Sequence, residues 1–405
     1  MKLIPLPRGR RALLALCMLV ALLLPAAVLA ARSSAPQAPQ RPHALTPAAA
    51  HTQEARVFST RGTIVRLAAD GARVAASTRG IKGACDRIVV WSAPGKTLRR
   101  FDAHTHCPNS DVPVFEYVGE IALGGGRIAW LEGGGGNNLD LSLYAASLSG
   151  GPKSSKPLDF ASNLDGAEGN RTGDWIGRLF GAGPVLAYNR WHECWRQHDD
   201  DTYCAVDGEV SKQALLRFGS AKPVAIRSGP SAFELLAVGG GRLAIVSRGA
   251  TAALGDAIAV RNASGALVAT LPAKPNGPVR AVAVTTSQVV VQRKRLQPSA
   301  ALDWYDAGSG QAAGTLQLGA SDSGLQMVGA SSSLVLLRGL HRLRLVRLSD
   351  GKRITVPLEQ GVGRCSCPVD ARLTESGLFY AYNVAKSSAR GRIVFWPTAQ
   401  LLARF

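Results

Sequence analysis

The sequence has little of what marks the common catalytic folds. It contains no G-x-S-x-G elbow, no H-E-x-x-H pair, no P-loop and no G-x-G-x-x-G fingerprint. Their absence excludes the recognisable forms of serine hydrolase, zinc protease and nucleotide-binding enzyme. The run Gly133 to Gly136 lacks the Lys-Ser/Thr that phosphate binding needs and reads as a flexible loop. Beyond its N-terminus the chain has no stretch apolar and long enough to span a bilayer. Acidic residues are scarce: 28 Asp and Glu stand against 47 Lys and Arg, a formal charge of +19.

What is present begins with MKLIPLPRGRRALLALCMLVALLLPAAVLAA, residues 1–31. Four basic residues precede an apolar stretch that ends on small residues, the layout of a secretory signal peptide cut after Ala30 or Ala31. An uncleaved anchor is the alternative, because Ala12 to Ala31 approaches membrane length. Removing the signal takes away four basic and no acidic residues and lowers the charge to about +15. The expectation is a secreted or extracytoplasmic protein associated with the cell envelope. Outside the cytoplasm this basic balance argues against nucleic acid and for an anionic envelope polymer, unless the charge serves solubility alone. Residues 32–55 carry four prolines and no aromatic residue, the composition of a disordered tether.

Six cysteines remain after Cys17: Cys85, Cys107, Cys194, Cys204, Cys365 and Cys367. An even number in an exported chain points to disulfides without fixing their connectivity.

A phrase of two apolar runs around a small turn recurs through residues 56–405. It reads LAADGARVAAS at 67, IALGGGRIAWL at 121, LFGAGPVLAYN at 179, LAVGGGRLAIVS at 236, AVAVTTSQVVVQ at 281, MVGASSSLVLLR at 327 and ARLTESGLFYAYN at 371. The spacings are 54, 57, 58, 46, 45 and 45 residues. Each phrase is a hairpin, and most are followed by a second one, as in RIVVWSAPGKTLRRF at 87 and RLRLVRLSDGKRITV at 342. A period in the forties predicts an all-β fold, a seven-bladed β-propeller of four-stranded antiparallel blades. The blades are expected at about 62–102, 115–160, 175–228, 231–272, 278–318, 324–358 and 369–405. The last unit is read as holding all four of its strands, with EARVFS at 54–59 able to add to it. On these phrases the chain resembles the seven-bladed propellers of the WD-repeat and secreted YVTN kinds. That resemblance implies shape and almost nothing about activity.

The first three units are longer than the rest, and the excess falls in second-to-third-strand loops and blade-to-blade loops. In an up-and-down meander these share one face. All six mature cysteines fall there, and so do the inserted segments, which makes this the expected interaction face.

The insertion NRWHECWRQHDDDTYCAVDGEVS at 189–211 supplies the candidate binding residues Trp191, His192, Glu193, Trp195, His198, Asp199, Asp200, Asp201 and Tyr203. Aromatic faces beside carboxylates suit a glycan, peptide or protein partner. The competing reading is a disulfide-stapled loop whose tryptophans cover the core. His104 and His106 in HTHC are further candidates, but two histidines without Cys107 make a weak metal site, and D-D-D-T lacks the spacing of a calcium loop. No metal, no cofactor and no catalytic residue is expected. The expected function is therefore a non-catalytic binding or scaffolding propeller. The alternative is a secreted propeller enzyme of lyase or hydrolase type, with His192, Glu193 and His198 as acid or base. The arginines alternating with leucines at 342–345 are expected to pair with acids or to lie near a rim.

Overall fold

The computed structural model describes residues 55–405 apart from 82–83, 94–95, 106–114, 136–137, 166–170, 194–209, 217–222, 230–232, 250, 252, 276, 294–299, 359–367 and 385–389. The expected signal segment, and the tether up to residue 54, lie outside the described residues.

The fold is an all-β propeller of antiparallel strands. Strand β1 (Arg56–Arg61) precedes β2 (Ile64–Asp70), β3 (Arg73–Thr78), β4 (Arg87–Ser92) and β5 (Thr97–Asp102), which form a four-stranded sheet. Next come β6 (Phe115–Gly124), β7 (Arg127–Gly135), β8 (Asn138–Ser147), β9 (Asp159–Asp165), β10 (Arg171–Ala182), β11 (Val185–Glu193), β12 (Val210–Leu216) and β13 (Val224–Gly229). These eight are one continuous sheet. Three further four-stranded meanders follow. They are β14 (Phe233–Gly239) to β17 (Leu267–Leu271) through β15 (Arg242–Ser247) and β16 (Ala257–Asn262), then β18 (Val279–Val284) to β21 (Ala312–Gln317) through β19 (Gln288–Arg293) and β20 (Ala301–Asp306). The last of the three runs from β22 (Gln326–Ala330) through β23 (Leu334–Arg338) and β24 (Leu343–Arg347) to β25 (Arg353–Thr355). Finally β26 (Asp370–Thr374), β27 (Gly377–Val384) and β28 (Arg390–Pro397) form a sheet with β1, and the helix α1 (Thr398–Leu402) ends the chain.

Two expectations are corrected. The described residues form six sheets, not seven separate blades, because β9 pairs with β10 through Asp165–Arg171, Leu164–Thr172 and Asn163–Gly173. In NLDGAEGNRTGD, part of the blade-to-blade excess, both described ends are strand, and their backbone groups complete a ladder. Among the described residues the last unit also has three strands of its own rather than four. Pro397 has no N–H to continue a ladder, and T-A-Q-L-L, rich in good helix formers, winds into α1 with Leu401 buried. The edge left open on β28 is taken by β1, in register from Arg56–Phe395 to Arg61–Arg390.

The repeated phrase is the hairpin between the first and second strands of each meander. Gly240 and Gly241 take φ of 54° and 72°, the left-handed pair that a two-residue hairpin turn requires. Inner strands pack side by side in the order β2, β6, β10, β14, β18, β22 and β26, with β26 against β2 again. Second strands are buried on both faces, as in β15, β19 and β23, which is why they read as unbroken apolar runs. Their alternating side chains feed two cores: Val289 and Val291 pack with Val246 and Ile258, while Val290 packs with Val335 and Leu337. Fourth strands such as β5 and β21 are largely exposed at the rim.

Polar side chains near the ends of second strands hold the next sheet. Asn189 donates to Leu235 O and accepts from Leu235 N, both at 2.9 Å. Gln292 donates to Leu325 O at 2.7 Å and accepts from Met327 N at 2.8 Å. Asn383 does the same for Ile64, at 3.0 and 2.7 Å. Arginines serve elsewhere: Arg248 reaches Val279 O, Arg338 reaches Val369 O and Arg79 reaches Glu116 O. In β7 the comparable residue is Glu132, which turns back to His104 instead. The joint that Glu132 would hold is the one already tied by the β9–β10 ladder.

Candidate functional site

Strands β10 and β11 are the longest adjoining pair, 12 and 9 residues. They project toward the face from which the 194–209 connection leaves. Trp175 and Trp191 are register partners on one side of this ribbon, with ring centroids 6.1 Å apart and planes 6° apart. Gly177 makes room for them, since a Cβ there would lie 2.7 Å from the Trp191 ring. Residues 188, 190 and 192 alternate with Trp191 and so carry the opposite side. There Tyr188 donates to Asp159, Arg190 bridges Asp159 at 2.7 Å and Asp174 at 2.9 Å, and His192 Nδ1 meets Asp174 at 2.9 Å.

This ladder runs from the core to the surface. Tyr188 is buried, while His192 and Asp174 keep 43% and 41% of their side-chain surface. Burial, and then the Asp159 carboxylate, push the Tyr188 phenol well above its usual range, so it acts as a donor. Burial alone would raise the Asp174 carboxyl, but hydrogen bonds from His192 and Arg190 outweigh it and hold Asp174 below the usual range. The ribbon end thus carries stacked indoles on one side, Trp175 packed against the core, and a half-exposed carboxylate–imidazole pair on the other, groups that can stack on or hydrogen-bond to a partner.

Of the residues singled out in the sequence, the structure places Trp191 and His192 together here, with Glu193 next in β11 opposite Gly173. His104 belongs to another joint of the ring. Its Nδ1 lies 2.9 Å from Glu132, its ring is 4.2 Å from that of Tyr144, and Trp130 Nε1 donates to the same carboxylate at 2.6 Å. Trp195, His198, Asp199, Asp200, Asp201, Tyr203 and His106 lie outside the described residues, as do Cys107, Cys194, Cys204, Cys365 and Cys367. Arg344 pairs with the buried Asp322 at 2.9 Å, so at that arginine the pairing expected in the 342–345 segment is met.

A second feature was not singled out. The inner strands surround an axial cavity of about 540 Å³, lined on one side by Glu120, Arg178 and Arg372 and on another by Leu236, Val282 and Val328. Arg178 pairs with Glu234 at 2.8 Å, Arg372 with Asp370, and Arg66 stands 4.0 Å from Glu120. Burial raises the Glu120 carboxyl above its ordinary value, against the opposing pull of Arg66, Arg372 and Arg178. A signal existed in the repeats: counted back from the hairpin turn, Asp370, Arg66, Glu120 and Arg178 occupy one position, where the other three units have Leu235, Ala281 and Met327. Asp174, Trp175 and Arg190 gave no comparable signal, because their value comes from cross-strand register.

No known family model matches the sequence, and no curated protein matches it. Among solved structures the chain is similar to the β-propeller domain of the Trilobed protease from Pyrococcus furiosus, with 12% identity, TM-score 0.50, and 84% of this chain and 94% of that one covered. It is also similar to an acylaminoacyl peptidase from Pyrococcus horikoshii, with 11% identity and TM-score 0.52, covering 83% of this chain and 51% of that one. The chain thus spans about half the length of that peptidase. These neighbours are peptidase propellers rather than the WD-repeat or YVTN kinds that the repeat phrases resemble. At such identities the likeness shows one thing, the β-propeller fold.

Proposed function

We propose that the chain is an exported, non-catalytic propeller that binds a protein, peptide or envelope-glycan partner on the face from which the β11–β12 connection leaves. The carrying observation is the end of the β10–β11 ribbon, where the stacked Trp175 and Trp191 lie on one side and the half-exposed Asp174 and His192 on the other. Rigid aromatic anchors with polar neighbours are the usual energetic centre of a binding patch. Export is supported by the signal-like segment at residues 1–31 and by the even number of cysteines that follow it. The blade count in this reading is seven. It is supported by the ring order of the inner strands and by the core in which Leu131 and Leu143 meet Ile176 and Leu186, packing the two halves of the eight-stranded sheet face to face.

The test is binding of the intact protein to purified envelope glycan and to peptide pools, beside Trp191→Ala. A loss of tenfold or more in affinity with an unchanged melting temperature supports the reading, and equal binding overturns it. A second reading, a hydrolase-associated propeller, is favoured by the peptidase neighbours. Peptide hydrolysis by the purified chain that disappears in His192→Ala would replace the first reading with the second.

A further inference from the structure

The axial cavity has two unlike walls. Inner strands β26, β6 and β10 line one arc with Arg372, Glu120 and Arg178, with Arg66 of β2 standing 4.0 Å from Glu120, while β14, β18 and β22 line the rest with Leu236, Val282 and Val328. Asp70 and Glu375 also line the cavity, but Arg73 engages the first at 2.6 Å and Ser332 the second at 2.8 Å, while the arginines of the polar arc share their acids. Glu234 is divided between Arg178 and Arg248, and Asp370 between Arg338 and Arg372. A guanidinium has five N–H donors. Among the described residues Arg178 meets only Glu234, and 63% of its side-chain surface is open.

Arg178 is also the one described residue other than glycine with a positive φ, 45°. It forms the bulge of β10, between the Gly177–Asn189 and Leu179–Tyr188 pairs. A φ of 45° is a left-handed conformation that glycine adopts without strain. A strained side chain kept at the lining of a cavity, where glycine would suffice for the fold, points to use of that side chain.

We propose that the cavity binds a carboxylate attached to an apolar body. The carboxylate is held by Arg178 with Arg372, and the body lies against Leu236, Val282 and Val328. The volume lies in the range of small-ligand sites, and a planar guanidinium is matched to a carboxylate in two-point geometry. A free aromatic acid and the C-terminal residue of a peptide share this chemistry. The inference is independent of the Trp175–Trp191 edge.

The test is calorimetric titration of the full chain with 3-phenylpropionate, with the acetylated tripeptide Ala-Ala-Phe bearing a free carboxylate, and with the same peptide as its C-terminal amide. The expected result is that at least one acid binds tenfold or more tightly than the amide, the preferred acid identifying the source. Arg178→Gly should weaken that binding at least tenfold without lowering the melting temperature, because it relieves the backbone while removing the donor. Arg372→Ala should weaken it as well. Equal affinity for acid and amide, no binding of either acid at millimolar concentration, or undiminished binding by Arg178→Gly would overturn the proposal.

Discussion

Glu120 shows what the ring does to a single residue. Its carboxyl faces Arg66, Arg372 and Arg178 together with the like-charged Asp370, yet burial dominates and raises its proton affinity. A carboxyl whose folded pKa lies above its unfolded one makes the native state bind more protons. Stability then falls as pH rises from the ordinary glutamate value through the folded one. Glu120→Gln is therefore expected to melt at a higher temperature than the parent at pH 7 and at the same temperature near pH 3.5. Melting curves across that range check it. Asp174 has the opposite sign, and its contribution is lost as pH falls through its depressed folded value. Trp191 and His192 were legible as candidates because aromatic and ionisable residues crowd an insertion. Arg178 was not, because neither its left-handed backbone nor its proximity to Glu234 exists until β10 bulges beside β14.

At the scale of elements, the paired hydrogen bonds between sheets replace a ladder that the radial arrangement cannot supply. Asn189 is 5% exposed and satisfies both backbone groups of Leu235. Asn189→Ala would strand a buried N–H and a buried C=O, each worth about 1–3 kcal/mol. A loss of about 2–4 kcal/mol in chemical unfolding is expected, against a much smaller loss for an exposed rim residue such as Thr270→Ala in β17. Hairpins and second strands were legible because a strand buried on both faces must be continuously apolar and a two-residue turn needs glycine or its substitutes. The β9–β10 ladder was not, since a glycine-bearing connection between units reads alike whether its flanks pair or part. The final strand was misjudged for a related reason: R-I-V-F-W-P-T-A-Q-L-L has apolar runs on both sides of proline, and only packing against the last sheet decides that the second run is helical.

For the molecule as a whole, closure of the ring depends on six residues from the start of the described chain. Arg56–Arg61 pairs along β28, and Phe58 sinks into the core shared by Trp91, Phe379 and Phe395. This strand ties the last sheet to the first through residues more than 300 positions apart in sequence, as Thr60 Oγ1 accepting from Gly391 N also does. Without it β28 becomes an open edge of unpaired N–H and C=O groups, a template for pairing with another chain. Phe58→Ala should cost about 3–5 kcal/mol, the usual loss for a buried phenylalanine, and lower the calorimetric melting temperature by several degrees. Deleting residues 56–61 should do more than the single substitution. The ring loses both its core plug and its edge cover, so light scattering should show concentration-dependent association that Phe58→Ala does not. If the deletion leaves the protein monomeric with an unchanged melting temperature, β1 is a decoration and the remaining sheets close the ring by packing alone.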